Sequence, residues 1–205
     1  MATRTWLGNA AAIKQVDTVT IASVWAADDT VTLTINSKDL VITIGSLITT
    51  AQVATTVQQA IENIAFTDST ATKNLANGKF DFPELAETVA TVSGSVVTLT
   101  AKTAGKPFTL TATYVTDGLG TATKATSTAA TGPNHWDATD NWSGATVPVS
   151  NDTIHFDDSG RDDLLYALTT GLNTITIVVS KSFGFNIGLP FINAQDPRAT
   201  YEEYR

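Results

Sequence analysis

The stretch DDTVTLTINSKDLVITIGSLITTAQVATTVQQAIENI, residues 28–64, changes its hydrophobic period from two residues to nearly four. Over residues 30–35 apolar side chains alternate with threonine, and the alternation restarts at Leu40 and continues through Ile42 to Ile44. This pattern predicts two half-buried strands. The polar residues 36–39 between them predict the turn of a hairpin.

The second half of this stretch predicts an amphipathic helix. Beyond Gly45, apolar residues fall at i, i+4, i+7, i+8 and i+11, a spacing that draws one stripe along a helix of about four turns. The stripe consists of Val53, Val57, Ala60, Ile61 and Ile64. Ser46, Thr49 or Thr50 could supply the N-cap oxygen. We therefore predict a hairpin whose apolar face is covered by this helix.

The composition indicates a mainly β protein. Threonine occupies more than one of every six of the 205 positions and is mostly interleaved with valine, isoleucine and leucine. Threonine is β-branched and stiff at χ1, which favours strands. Further alternating segments at residues 16–22, 89–92, 97–100 and 108–114 predict an antiparallel layer of order β-β-β-α-β-β-β, so that the fold is α+β.

Charge and residue usage exclude several classes of function. The formal net charge is −8, and residues 131–205 carry −6 of it, with 4 Lys and Arg against 10 Asp and Glu. An acidic chain lacks the basic patch that nucleic-acid binding needs. The absence of cysteine excludes disulfides and thiolate metal sites. No apolar run approaches the ~20 residues of a membrane span, and the first residues resemble no signal peptide. We expect a soluble chain made in the cytosol.

The sequence divides into four parts. Residues 1–14 form a short arm, in which Trp6 and Leu7 either pack back on the chain or dock in a neighbouring subunit. Residues 15–117 form the α+β domain. Residues 118–132 are small and polar, with almost nothing to bury, which predicts a linker.

Residues 133–205 have a sequence pattern that is typical of a β-solenoid. Strands of about five residues alternate with turns rich in glycine, asparagine and aspartate, as in the rungs of such a fold. Only about two rungs fit before Arg205, whereas three or more are normally needed. We expect the missing rungs to come from further chain or from partner subunits.

Two parts of the sequence resemble proteins of tailed-bacteriophage virions. The segments 29–36, 50–61 and 97–110 resemble a phage structural module with a strand ending Thr-Ile-Asn, a helix, and a strand ending Thr-Ala-Gly-x-Pro-Phe. The segments NWSGATVP at 141–148 and DTIHF at 152–156 resemble the entry to β-helical regions of phage virion and autotransporter-like proteins. Ser37 stands where the module usually has glycine, which favours a hairpin turn longer than two residues. The resemblance implies a virion component and assigns no catalytic residue.

Several side-chain groups could carry chemistry, and each has a structural alternative. The aspartates at 152, 157, 158, 162 and 163 could bind Ca²⁺, but their spacing matches no calcium motif, which favours a solvated turn in which Asp152 caps backbone amides. His135 and His155 lack the partners of a zinc site. Ser143, His155 and an aspartate could form a triad, although there is no GxSxG motif. Trp136 and Trp142 could stack on sugar rings, or could plug the first end of the solenoid.

The function predicted from these observations is that of a non-enzymatic virion structural protein, most simply an accessory protein on the capsid surface. The alternatives are a tail fibre or adhesin that binds host glycans, and a β-helix enzyme that cleaves polysaccharide. We predict no cofactor and no catalytic or metal residue, contacts with other virion proteins, and a homotrimer. The residues expected at the subunit contact are Trp6, Leu7, Ile175, Ile177, Val179, Phe183, Phe185 and Ile187.

Overall fold

The computed structural model describes residues 2–75, 83–168 and 171–188, which form one α-helix and eleven strands. In chain order the elements are β1 (Thr3–Thr5), β2 (Val16–Ala22), β3 (Thr30–Ile35), β4 (Lys38–Thr43), α1 (Thr50–Glu62), β5 (Thr72–Lys73), β6 (Thr88–Ser93), β7 (Val96–Ala101), β8 (Leu110–Val115), β9 (Thr121–Thr128), β10 (Thr153–Phe156) and β11 (Thr176–Val179). The predicted mainly β class is confirmed. No helix of the described residues is long and apolar enough to cross a membrane.

Two four-stranded antiparallel sheets and α1 enclose one core. The first sheet has the order β6-β7-β2-β9 and the second the order β5-β4-β3-β8. Leu33 of the hairpin, Ile61 of the helix and Leu99 of β7 are fully buried in the same cluster. The predicted single layer was therefore wrong in detail: the strands form two sheets, and α1 packs chiefly on β6, β2 and β7 and less on β4 of the hairpin. An apolar stripe shows that a helix face is buried, but not which sheet buries it.

The central hairpin has a two-residue turn, shorter than the turn favoured from the sequence. Ile35 pairs with Lys38, and the residues between them, Asn36 and Ser37, have φ values of 46° and 65°. Two positive φ angles define the type I′ turn, whose twist matches that of the flanking strands. Asn36 is also held from the side, because its Oδ1 accepts a hydrogen bond of 2.9 Å from the Thr109 amide.

The helix begins and ends at capping residues. Thr49, one of three predicted candidates, is the N-cap and forms a capping box with Gln52. Asn63 ends the helix in the left-handed conformation. Ile64 was predicted as the last member of the apolar stripe, but it lies beyond this cap and is 50% exposed.

The stretch predicted as a linker contains a strand. β9 pairs with β2 from Thr121 opposite Ala22 to Thr128 opposite Val16. Ala122 is its one buried apolar side chain, and Lys124 Nζ lies 3.3 Å from the buried carboxylate of Asp17 on β2. An edge strand that buries so little has the composition of a linker, which explains the wrong interpretation.

A separate parallel sheet joins the two ends of the described chain. Its order is β1-β10-β11, and Thr3 pairs with Thr153, 150 residues away. Thr153 pairs with Thr176, and Leu164 pairs with Ile187, so both pairings advance by 23 residues. Where the chain enters and leaves the α+β domain, Ile13 bridges to Thr131. That domain is thus an insertion between residues 2–14 and the segment that follows Thr131.

Candidate functional site

The outer edge of β11 is the most exposed apolar part of the parallel sheet. Among residues 2–75, 83–168 and 171–188, no strand pairs with this edge. Ile177, Val178 and Val179 are 53%, 42% and 55% exposed, and Phe185 and Ile187 nearby are also exposed. We call these five residues the open end.

Backbone groups at the open end also face outward. The amides of Thr176 and Ser180 donate to carbonyls of Asp152 and Phe156, on the β10 side. Because backbone N–H and C=O groups alternate in direction along a strand, those of Ile177 and Val179 point away from β10. The open end therefore offers hydrogen-bonding groups as well as apolar surface to an added strand.

The opposite edge of the sheet is covered. Ser143 lies beside β1, where its hydroxyl accepts from the Thr5 amide at 2.9 Å and its own amide donates to the Thr5 carbonyl at 2.9 Å. The Leu7 amide donates to the Asn141 carbonyl at 2.7 Å. Trp6 and Trp142 form an antiparallel bridge. The β1 edge of the sheet is thus covered by the chain itself, and we call it the closed end, whereas no strand of the described residues covers the β11 edge.

Aromatic side chains run through the interior from the closed end to the open end. Trp142 lies edge-on to Trp6 at 5.0 Å and to Trp136 at 4.8 Å between ring centroids. The contacts continue from Trp142 to Phe156 at 6.3 Å, to Phe183 at a further 5.2 Å and to Phe185 at a further 5.8 Å. Such edge-to-face pairs stabilise beyond their buried area. Together these side chains, apart from the exposed Phe185, form a second hydrophobic core, separate from the core of the α+β domain.

The tryptophans predicted as binding residues are buried in this core. Trp136 and Trp142 are 6% and 1% exposed, so neither offers a ring face to a sugar, and glycan stacking by this pair was wrong. Their place at the closed end matches the alternative, in which they plug it. Trp6 is fully buried, and its Nε1 donates to the Asp162 carbonyl at 3.0 Å. It packs within its own chain and has no surface for a partner, whereas Leu7 is half-buried.

The other predicted contact residues fall into two groups. Ile177, Val179, Phe185 and Ile187 lie at the open end. Ile175 and Phe183 are partly buried and pack against the second core. The sequence reasoning missed Val178, because it followed only one face of the strand. The signal was present, since no charged residue occurs between Asp163 and Lys181. The subunit contact itself stays a prediction.

Aspartates of the acidic cluster accept hydrogen bonds from backbone amides of this chain. The buried Asp152 accepts from the amides of Ala2 at 2.8 Å and Val149 at 3.2 Å, and these bonds, with Arg4 nearby, hold its pKa below the usual value. Capping by Asp152 is therefore confirmed. Asp163 Oδ1 accepts from the Asn186 amide at 2.7 Å. Within the described ranges, no three His, Asp or Glu side chains are grouped so that they could hold a metal ion.

The two histidines have different surroundings. His135 is buried between the two parts of the molecule, with Nε2 2.8 Å from the Gly105 carbonyl oxygen. His155 lies on β10, half-buried. Ser143, the serine of the conceivable triad, has its hydroxyl bonded to the Thr5 amide.

Comparison with protein-family models and with curated proteins found no match. Function is therefore inferred from the residues of this chain.

Proposed function

We propose that this chain is a non-enzymatic structural protein of a tailed-phage virion, an accessory protein of the capsid surface that acts through protein–protein contacts. The phage assignment is supported by the two segments of the sequence that resemble virion proteins. The proposed mode of action is supported by the open end. Burial of Trp136 and Trp142 removes glycan stacking by this pair as support for the adhesin alternative, and the polysaccharide-cleaving alternative stays open to test.

The observation that carries the proposal is the outer edge of β11, with which no strand of the described residues pairs. Natural proteins usually shield an exposed edge strand with charged residues, proline or a bulge. Thr176–Val179 has none of these residues and presents three exposed aliphatic side chains in a row. In a monomer, the backbone N–H and C=O groups of such an edge can pair with a strand of another chain. A partner strand would satisfy the outward backbone groups of Ile177 and Val179 and cover their side chains.

The C-terminal segment is proposed as the start of a β-solenoid. Two parallel pairings that advance by the same 23 residues are what stacked coils of that length would produce, and the aromatic side chains stack in the interior between them. In such a fold each coil buries its apolar face on the next. The open end is then the surface of a coil on which the next coil, from further chain or from another copy, would pack.

A homotrimer is the proposed assembly. Cyclic symmetry covers the open end of each copy without open-ended growth, and three-fold symmetry is what the resemblance to phage appendages implies. The contact would be formed by the open end, with Ile175 and Phe183 behind it. Leu7 was also predicted at the subunit contact. It lies at the closed end of the same sheet, so in this arrangement it would be outside the main contact.

The virion assignment is tested on particles. Antibody raised against the purified chain should label intact tailed particles from a culture that carries the gene, with gold concentrated on the heads. Label on the tail tip would replace the accessory role with that of a fibre, and unlabelled particles would overturn the assignment. A panel of polysaccharides incubated with the chain should release no products. Product release that one carboxylate substitution abolishes would instead indicate an enzyme.

A further inference from the structure

A second apolar surface lies in the α+β domain, at the end of β2 away from the bridge between Ile13 and Thr131. It is formed by residues 23–29, which connect β2 to β3, by Val115 at the end of β8, and by residues 116–120, which connect β8 to β9; we call it the distal tip. β2 runs from Val16, near the bridge between Ile13 and Thr131, to Ala22 at the tip. Its seven residues separate the two by about 20 Å.

The three most exposed large apolar side chains of the described residues all lie on the distal tip. Val24, Val115 and Leu119 are 66%, 73% and 76% exposed. The two loops that carry them are in contact, because a Cβ on Gly118 would lie 2.9 Å from the Val24 carbonyl oxygen. Single exposed aliphatic residues are normal on protein surfaces, whereas a group of them marks an interaction site.

Buried groups hold the tip in one conformation. The carboxylate of Asp29, 3% exposed, accepts from the Ala26 amide at 2.8 Å and from the Asp117 amide at 2.9 Å, and so ties one loop to the other. Trp25 is buried beneath them, donates from Nε1 to the Ala22 carbonyl at 3.0 Å, and packs against Gly120. A surface ordered in advance loses little conformational entropy when it binds.

The negative charge of the distal tip indicates the charge of the partner that it can bind. Asp28 and Asp117 are exposed there, and residues 22–30 and 114–120 contain no lysine or arginine. An anionic lipid surface would be repelled by these carboxylates. A protein surface that offers an apolar pocket bordered by lysine or arginine would match both features.

We propose that the distal tip docks into such a basic-bordered apolar pocket on another protein. This goes beyond the proposed function, because it assigns a second contact surface, formed by other residues than the open end. The chain would then have two contact surfaces. The open end would join it to other copies of the same chain, and the distal tip would attach these copies to a different protein. The tip would bind such a pocket in the same way whether or not the chain belongs to a virion.

The test uses a random dodecapeptide display library panned on the full-length chain. The library is first depleted on the variant Val24→Ser/Val115→Ser/Leu119→Ser, whose substitutions are all at exposed sites and should leave thermal unfolding unchanged. We expect the recovered peptides to combine aromatic or aliphatic residues with lysine or arginine. In fluorescence anisotropy the triple variant should bind them at least about tenfold more weakly.

Two further variants separate the contributions. Asp28→Asn/Asp117→Asn should weaken binding by up to about fivefold per charge at low salt, and by less at high salt. The control Ile64→Ser/Val149→Ser alters two other exposed aliphatic residues, which lie outside the tip, and should bind as the wild type does. Should the triple variant unfold, Leu119→Ser alone carries the test. Recovery of no tip-dependent peptide, or of peptides without basic residues, would overturn the proposal. So would binding of the wild type to neutral phosphatidylcholine vesicles that the triple variant loses.

Discussion

Replacing Trp6 with alanine should unfold the parallel sheet while the α+β domain stays folded. The Trp6 side chain is fully buried, contacts Trp142 and donates one hydrogen bond to Asp162. Substitution of a buried tryptophan by alanine costs about 3–5 kcal/mol. Among the described residues, the second core contains only five other buried apolar side chains, namely Trp136, Trp142, Ile154, Phe156 and Leu164. The loss should therefore be a large part of its stability.

Hydrogen exchange followed by mass spectrometry measures the two regions separately in the full-length chain. A loss of 3–5 kcal/mol corresponds to exchange about 10²- to 10⁴-fold faster. We expect this acceleration in the amides of β10 and little change in those of β3. Trp25→Ala is the matched control, because Trp25 is buried in the other core. It should accelerate exchange in β3 and spare β10.

Two outcomes would refute the reasoning. Unchanged exchange in β10 of the Trp6→Ala variant would mean that β1 is not an integral strand of the sheet. Equal acceleration in β3 and β10 would mean that the two cores unfold as one unit, so that residues 15–128 are not an independent insertion.

Three smaller predictions concern the α+β domain. Ile61→Ala should lower the free energy of unfolding by about 2–5 kcal/mol in denaturant titration, because Ile61 is fully buried, whereas the exposed Ile64→Ala should change it by less than about 0.5 kcal/mol. Ser37→Gly should raise it by about 0.5–1 kcal/mol, since glycine adopts φ 65° without strain; a loss of stability would contradict the type I′ turn. Hydrogen bonds from the Thr70 hydroxyl and the Leu47 amide lower the pKa of Asp68 from 3.8 to about 2. Its contribution is therefore complete above about pH 4 and is lost as the pH falls towards 2. Asp68→Asn should be less stable at pH 7 and lose less stability between pH 4 and pH 2, and parallel acid titrations of both proteins would contradict this.

Local patterns predicted the elements that depend on nearby residues. The hairpin strands, the Thr49 cap and the strand that begins at Val16 all follow from periodicity or from one capping interaction. These features are decided within a few residues of the chain, and a single sequence contains that information. The bond from the Val149 amide to Asp152 is of the same kind, whereas the bond from the Ala2 amide joins residues 150 positions apart.

Contacts between distant residues could not be predicted in this way. β1 has three residues and pairs 150 positions away, so neither its length nor its neighbours mark it as a strand. Trp6 and Trp142 each have the pattern of an exposed aromatic residue near a terminus or a turn, and only their mutual packing buries them. β9 was missed because an edge strand needs just one buried side chain, Ala122, which has no distinctive pattern.

Sedimentation or light scattering of the purified full-length chain tests the open end most directly. At micromolar concentration the account predicts a particle of three times the 21.6 kDa chain mass. Ile177→Lys/Val179→Lys places charges on the exposed edge and should give a folded monomer. The control Ile64→Lys/Val149→Lys should remain trimeric. A monomeric wild type, or a trimer that persists in the Ile177→Lys/Val179→Lys variant, would contradict self-association through the open end.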